Sequence, residues 1–501
     1  MTTAVTDPLA VADAHWRRLS PRMLLIHPII ELGRAVPALI GLLVAGSSSG
    51  NGSAWGVIGA LIVIALGVLR WFTTRFQITP EQIQLRRGLV RRVTIAAPLD
   101  RVRTVDVTAH LLHRALGLAK VVIGTGTSDR KGRGGLVLDG LSSTAASRLR
   151  GELLHRDESH PSPAPGASEE QEIARLDPSW VRYAPFTLSG AITSVAVLGF
   201  GWRLNNEAHV NFSRLGPLRT IRDQLRHTSA LLDVGAIMVA GIAIVSIAAT
   251  IGYALAFWGF RLTRHDGGSL HVSRGLITSR ATSIEARRLV GAEISEPLLL
   301  RAVGGARCLA IATGLRVGRG AERGGQVLLP PAPRGVVMSV AASVLGSAAP
   351  ESTELVAHPR AALRRRLVRS VTGSVALSVV FGALVVLTGI SPYVWFASLG
   401  LVALAVPLAY DRYRSLGHAI VDGYVVTRIG SLVRRRSALS GEAIIGWNFS
   451  SSFFQRRAGL TTLTATTAAG KQAYDVCDIA EDDAIAFADA ASPGLLAQFA
   501  A

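Results

Sequence analysis

At 501 residues, 49% hydrophobic and 17% charged, with a mean hydropathy of +0.37, the chain is too apolar for an ordinary soluble domain. It is also too charged for a wholly embedded one. The net charge of +19 comes from 53 basic residues, of which only Lys120, Lys131 and Lys471 are lysine. Such a balance suggests nucleic acid in a soluble protein, but in an apolar chain basic flanks are explained by membrane topology.

The first 20 residues carry Asp7, Asp13 and His15-Trp16-Arg17-Arg18 with no apolar run, so residues 1–20 are expected to be a cytosolic segment without a cleaved leader. Residues 21–72 predict a first transmembrane hairpin, its spans at 23–45 and 54–72 joined by the Ser/Gly loop 46–53. Glu31 and Arg34 share one helical face near its cytosolic end, as an intramembrane path or a snorkelling interfacial pair. Segment 73–156 then alternates as short strands (76–79, 83–87, 93–96, 102–107, 120–125, 136–138) and closes with a helix over 145–154 behind the capping cluster Ser142-Ser143-Thr144. After a Pro/Ser/Glu-rich linker at 157–176 comes a second hairpin, 177–260, with spans at 183–202 and 234–260. Its connecting loop 203–228 carries five arginines and dissents from the charge rule. A second β segment, 261–347, ends in a helix at 335–345, and residues 348–357 form a linker. In the third hairpin, 358–410, 41 uncharged residues separate Arg369 from Asp411, broken by Gly389-Ile390-Ser391-Pro392; each half approaches the ~20 residues that cross a bilayer core. A third β segment, 411–493, closes with a helix at 481–490, and 494–501 is a tail. Ser20-Pro21, Asp177-Pro178 and His358-Pro359 mark helix starts. The uncharged tips against arginine-rich opposite ends place the termini and all β segments in the cytosol.

One signature recurs three times: a glycine after a strand-like run and, 29 residues later, a second glycine preceded by arginine. The pairs are Gly88/Gly117 with Arg114, Gly275/Gly304 with Arg301, and Gly430/Gly459 with Arg456. Each pair follows a hairpin, which makes the chain one unit used three times. The arginines suit a structural role, bonding turn carbonyls beside a glycine of positive φ; a shared ligand contact is the other reading.

Catalytic motifs are weak. Gly46-Ser47-Ser48-Ser49-Gly50 matches G-x-S-x-G but lies in a hairpin loop, not at a strand-to-helix turn. Gly124-Thr125-Gly126-Thr127 and Gly132-Arg133-Gly134-Gly135 lack P-loop order and fit the ends of one β-hairpin. Cys308 and Cys477 form no C-x-x-C, and the twelve histidines show no ligand spacing. No enzyme, cofactor or metal site is expected. The remaining chemical signal is basic: Arg86, Arg87, Arg91 and Arg92 around one tight turn, Arg101 and Arg103, and Arg434, Arg435 and Arg436. Near an anionic leaflet each contributes on the order of 1 kcal/mol, so these are candidate lipid or partner contacts; a solvated, topology-setting charge face explains them equally.

The run Phe76-Gln77-Ile78-Thr79, Arg87-Gly88-Leu89, Pro98-Leu99-Asp100-Arg101-Val102 and Leu112-His113-Arg114-Ala115-Leu116-Gly117-Leu118-Ala119 resembles the bacterial PH-like domain of YdbS/YdbT-type membrane proteins. The three-unit order resembles the long, YdbT-like member; the Pro-x-x-Arg-Val element has no clear copy in the second and third segments. The resemblance implies six transmembrane helices in three hairpins, each followed by a cytosolic PH-like barrel or sandwich with a C-terminal helix. It also implies a bacterial plasma-membrane location, a short single-unit PH-like membrane partner, and a role in envelope defence against antimicrobial peptides. A non-enzymatic α+β membrane scaffold is the leading expectation, with an export or lipid-translocation component as the alternative; no nucleic acid is expected.

Overall fold

A computed structural model describes residues 16–26, 31, 35, 52–79, 81–88, 92–99, 104–124, 135–154, 170–187, 230–265, 268–314 and 326–494. The chain divides into two compact units, one formed within Met1–Glu172 and Trp258–Arg288, the other within Ile173–Phe257, Leu289–Thr313 and Val317–Ala501. The fold is α+β, with antiparallel sheets and long apolar helices.

In the first unit β1 (Arg17–Arg18) pairs with β2 (Arg75–Ile78), which follows α1 (Gly52–Thr73); β3 (Gln82–Arg87) and β4 (Val93–Pro98) complete a meander ordered β1-β2-β3-β4. Next come β5 (Thr104–Ala109), the short α2 (Leu111–Ala115), β6 (Leu118–Gly124), β7 (Gly135–Ser142) and α3 (Ser143–Leu154). Alternation along these strands turns Phe76, Ile83, Leu85, Val105, Val121, Ile123, Leu136 and Leu138 inward, and Met23, Ile26 and Trp71 join the same core from the chain flanking the strands. The second sheet does not stop at β5. It continues through β11 (Ser279–Ile284), β10 (Leu270–Arg274) and β9 (Arg261–Arg264) to β8 (Gln171–Arg175), in the order β7-β6-β5-β11-β10-β9-β8.

The second unit opens with a 3₁₀ stretch, Pro178–Phe186, capped by Asp177, whose Oδ1 accepts from Ser179 N at 2.8 Å. The Asp-Pro start signal is therefore used, but Pro185 lies inside the stretch and the turn is tighter than α. The unit continues with α4 (Ala230–Phe257), β12 (Leu289–Pro297), α5 (Leu298–Ala302), β13 (Gly305–Ala312), β14 (Val327–Pro333), α6 (Arg334–Leu345) and α7 (Ala349–Ser352). Then come α8 (Arg360–Thr388), α9 (Tyr393–Arg414), β15 (Gly417–Val421), β16 (Tyr424–Ile429) and β17 (Val433–Ser440). The remainder is β18 (Gly446–Ser450), α10 (Phe453–Arg456), β19 (Leu460–Thr466), β20 (Ala473–Ala480) and α11 (Glu481–Ala491). The strands form one sheet ordered β14-β13-β12-β17-β16-β15 and another ordered β18-β19-β20. Thus the sheets run across segment borders, where the sequence reading gave each β segment its own barrel. β5 of segment 73–156 pairs with β11 of 261–347, and β12 of 261–347 pairs with β17 of 411–493. Alternating strand patterns specify a buried face but not which neighbour pairs at an edge.

Three described helices are long and apolar enough to cross a membrane: α8, α9 and Val239–Phe257 of α4. Their apolar side chains face outward, Val386, Leu387 and Tyr393 among the most exposed, as lipid-facing helices require. α1 also presents Val57, Leu61 and Ile62 outward. The turn after α8 closes on Gly389 at φ 66°, whose N–H donates to Val385 O, and Ser378 and Ser398 hydroxyls meet at 2.8 Å between α8 and α9. The first span of hairpin 2 beyond Thr187, the loop 203–228, Arg34 and the loop 46–51 lie outside the described residues.

Candidate functional site: arginine clusters and hairpin bases

All six signature glycines have positive φ: 114° and 67° at Gly88 and Gly117, 105° and 73° at Gly275 and Gly304, 99° and 62° at Gly430 and Gly459. A Cβ at Gly275 or Gly430 would overlap the carbonyl oxygen of Thr278 or Val433, so these turns require glycine sterically as well. The second glycine of each pair makes the same two bonds. Its N–H donates to the carbonyl of Arg114, Arg301 or Arg456 at 3.0, 3.0 and 3.2 Å, and its own carbonyl accepts from Ser143, Arg334 or Glu481, the first residue of the closing helix, at 2.9, 2.9 and 3.3 Å. That glycine thereby ties the short helix after the fourth strand to the helix that closes the segment.

The signature arginine side chains differ. Arg114 donates to Leu276 O at 2.7 Å, in the turn that Gly275 opens. Arg301 pairs with Asp411 at 2.9 Å, whose other oxygen accepts from Ser431 in the turn that Gly430 opens. Arg456 bonds locally, to Ser451 O at 3.2 Å, and is exposed. In the first two cases, then, the arginine of one β segment reaches the glycine turn of the next.

Among the predicted basic contacts, Arg86 and Arg92 are exposed, Arg86 lying 6.0 Å from the Trp16 ring centroid. Arg87 ends β3; Arg91, Arg101 and Arg103 lie outside the described residues. Arg434, Arg435 and Arg436 are engaged within the second unit, because β17 lies beside β12 and its acids. Arg434 pairs with Glu296 at 3.7 Å and Asp411 at 3.8 Å, and Arg435 with Glu293 at 3.7 Å. Arg436 donates to Pro350 O and Thr353 O at 2.8 Å and faces buried Glu351 at 3.9 Å. These guanidinium groups face carboxylates and carbonyls inside the protein. Burial pushes the Glu351 carboxyl up to about 7, against the opposing pull of Arg436.

Where a hairpin meets its β segment a second regularity appears. The residue three before each closing helix is Gly140, Pro331 or Asp478, and its carbonyl accepts from Ser20, from Tyr253 in α4 or from His358, two residues before α8. Ser20 N bonds Gly140 O at 3.2 Å, Tyr253 Oη bonds Pro331 O at 2.8 Å, and His358 Nδ1 lies 3.2 Å from Asp478 O. In the last case the side chain joins in. Asp478 has φ 60° and is 1% exposed; Arg365, Arg366 (2.7 Å) and Gln455 (2.9 Å) converge on its carboxylate. His358 Nε2 lies 3.1 Å from His418 Nδ1, and Tyr413 Oη donates to His358 O at 2.9 Å. Since Nδ1 of His358 must carry the proton it gives to the carbonyl, its Nε2 accepts, and His418 donates. Burial lowers both imidazoles, His418 to about 4 with His358 adding to the effect, so the pair is neutral near pH 7.

Arg365 and Arg366 belong to the arginine-rich ends that the sequence reading used for topology alone, and Asp478 was passed over. The signal available was an acid in the apolar strand Val476-Cys477-Asp478-Ile479, at the position held by Gly140 in the first segment. Chemically the arrangement holds and orients. Burial raises both thiols, Cys477 to about 11, which disfavours thiolate, and among the described residues no group of three acids, histidines or cysteines gathers as a metal site.

The bacterial PH domain model matches the chain twice, at residues 29–157 and 373–494, together about half its length. Each match begins within a predicted hairpin and runs through the strands to the closing helix; Gly140 and Asp478 fall inside the matches, and Ser20 and His358 before them. No curated protein and no solved structure matches the chain. With two copies of that domain, the chain belongs to the bacterial PH domain family.

Proposed function

We propose that this chain is a non-enzymatic integral membrane scaffold of the bacterial plasma membrane, built from three hairpin-plus-PH-like units with cytosolic β domains. The observation that carries this reading is the hairpin base. Three times the carbonyl three residues before the closing helix is held by a residue of, or just before, a hairpin helix, and the middle segment, 261–347, shares this feature and the glycine geometry with the segments of the two family matches. A domain fixed to its anchor through backbone carbonyls and a buried ion pair positions a surface. It does not assemble an acid, base and nucleophile.

Its partners in this reading are a short single-unit PH-like membrane protein and the anionic inner leaflet, which Arg86, Arg87, Arg91 and Arg92 would meet at the tip of β3 and β4. Envelope defence against antimicrobial peptides is the physiological role this family type suggests. A lipid-translocating role is less well supported, because five hydroxyls of α8 and α9 are satisfied locally: Thr372 by Val368 O, Ser374 by Val371 O, Thr388 by Leu384 O, Ser378 and Ser398 by each other. The test is affinity purification of the full chain in mild detergent with protein and lipid analysis of the eluate. The scaffold reading expects a stoichiometric PH-like protein and lipids in bilayer proportion, with less anionic lipid after R86A/R92A. One lipid species held stoichiometrically without a protein partner would overturn it in favour of a carrier.

A further inference from the structure

The two strand pairings that cross segment borders share one register. Ala109 lies eight residues before Gly117 and pairs with Ser279, four after Gly275; Glu296 lies eight before Gly304 and pairs with Arg434, four after Gly430. Each junction is locked by the signature arginine beside it, Arg114 on the Gly275 turn and Arg301 beside the Gly430 turn. Further bonds join the same elements: His110 Nδ1 lies 3.0 Å from Thr278 Oγ1, and Leu298 N donates to Leu432 O at 2.8 Å. The junction is therefore a repeated device: the fourth strand of one segment takes the third strand of the next.

Two halves of that device remain. β18 ends the order β18-β19-β20 and β4 ends the order β1-β2-β3-β4; among the described residues no strand pairs with the outer edge of either. Their residues are exposed where the corresponding junction strands are covered. Val93, Thr94, Asn448, Phe449 and Ser450 are exposed, whereas at matching positions Arg280, Ala281, Arg435 and Arg436 are half-buried and Glu293, Ile294 and Ser295 buried. Beside β18, Phe453 and Phe454 are exposed at 62% and 71%, and Arg456 keeps only its local bond. An unpaired edge flanked by exposed aromatic rings is a template for another strand.

We propose that β18 of one molecule pairs antiparallel with β4 of a second copy of this chain. The internal register, carried over, sets Ser450 opposite Val93, Phe449 opposite Thr94, Asn448 opposite Ile95 and Trp447 opposite Ala96, with Arg456 brought to the turn at Gly88. The occupant is a second copy because the chain carries both complementary halves and has already joined such halves twice. The contact is heterologous, so copies add head to tail in one membrane plane, as a ring or an open row. Pro98 closes β4 and limits the pairing to the strand before it. This inference rests on the three-unit reading of the fold.

Cysteine cross-linking in membranes tests it. Two differently tagged full-length copies, one T94C and the other F449C, are co-expressed and oxidised; paired Cα atoms roughly 4.5–5.5 Å apart lie within disulfide reach. A mixed-tag dimer is expected from this pair and from V93C with S450C. The off-register pair T94C with S450C should give several-fold less, its side chains pointing to opposite faces. N448P should abolish the dimer while a V107C/A281C pair within one chain, at an existing junction, still closes. If the internal pair closes but neither register pair does, the copy-to-copy contact is overturned and the three-unit reading stands. Failure of the internal pair would sink that reading itself. Equal yield off register, or cross-linking of T94C only to a separately encoded single-unit protein, also overturns the proposal.

Discussion

Replacing Asp478 with Asn isolates the charge that fastens α8 to the third β segment. The residue sits at φ 60°, a conformation Asn tolerates, and Asn keeps an oxygen for Gln455 Nε2, so backbone and local bonding survive. What disappears is the negative charge between Arg365 and Arg366, whose side chains are 20% and 11% exposed against 1% for the acid. Removing one partner of a buried ion pair costs ~3–5 kcal/mol. Both arginines retain a route to water, which places the loss at the lower end, about 3 kcal/mol. For a cooperative unit of roughly 150–250 residues that is a fall of about 6–12 °C in thermal midpoint, at ~2–4 °C per kcal/mol. The assay is thermal unfolding of the full chain in mild detergent, followed by near-UV circular dichroism, for D478N, R365A/R366A and the combination. The arginine substitutions should cost much less once Asp478 is gone. A midpoint shift equivalent to under about 1 kcal/mol, or strictly additive losses in the cycle, would refute the clasp.

The neutral His358/His418 pair makes the same region acid-sensitive. Its imidazoles face Arg366, Asp478, Asp483 and the Phe487 ring. With a folded value of about 4 for His418 against 6.5 unfolded, its stabilisation is complete above pH 6.5 and lost as pH falls toward 4, on the order of 2–3 kcal/mol; H418L should flatten that part of the pH–stability profile, and an unchanged profile would exclude the pair as its source. Glycine substitutions should separate the two signature positions. G430A, whose Cβ would overlap Val433 O, is expected to destabilise by ~2 kcal/mol or more, whereas G459A, in open space, costs ~1 kcal/mol for its left-handed backbone; equal losses by denaturant titration would remove the steric argument. In topology, S391C between α8 and α9 should react with a membrane-impermeant thiol reagent in intact cells, and protection there with labelling only after lysis would reverse the assigned orientation.

Much of this architecture was legible because it is periodic. The 41-residue uncharged run broken at Gly389 gives the facing ends of α8 and α9, at Thr388 and Tyr393, and the glycine spacing of 29 marks turns that all adopt positive φ. The edges of the sheets were not legible. Whether β5 meets its own segment or the next is decided by backbone hydrogen bonds common to every sequence, and Ala109 opposite Ser279 leaves no mark that pattern reading detects. The basic clusters show the complementary limit. Arg434, Arg435 and Arg436 are as basic as Arg86 and Arg92 in sequence, yet Glu293, Glu296 and Glu351 engage them from elements about 85 to 140 residues away. Charge runs announce a cation; only the fold decides whether its anion is inside the protein.

The two junctions share a backbone register but differ in chemistry, and that difference bears on how segments avoid mispairing. At the first, Ala109, Thr108, Val107 and Asp106 face Ser279, Arg280, Ala281 and Thr282, with one arginine and one aspartate. At the second, Glu293 and Glu296 lie in a strand opposite Arg434, Arg435 and Arg436, with Lys471 bonding Glu293 at 2.5 Å. Main-chain bonds alone would let β5 accept β17, or β12 accept β11, at the same register. Exchanging partners would leave Glu293 and Glu296, both buried, facing a strand with one arginine, and would set three arginines against β5, whose one acid is Asp106. Unpaired buried charge is heavily penalised, so the ionic junction works by excluding the wrong neighbour as much as by holding the right one. The free edges carry Val93, Thr94 and Ile95 on one side and Asn448, Phe449 and Ser450 on the other, all uncharged. Neither presents the acids that Arg434 to Arg436 require.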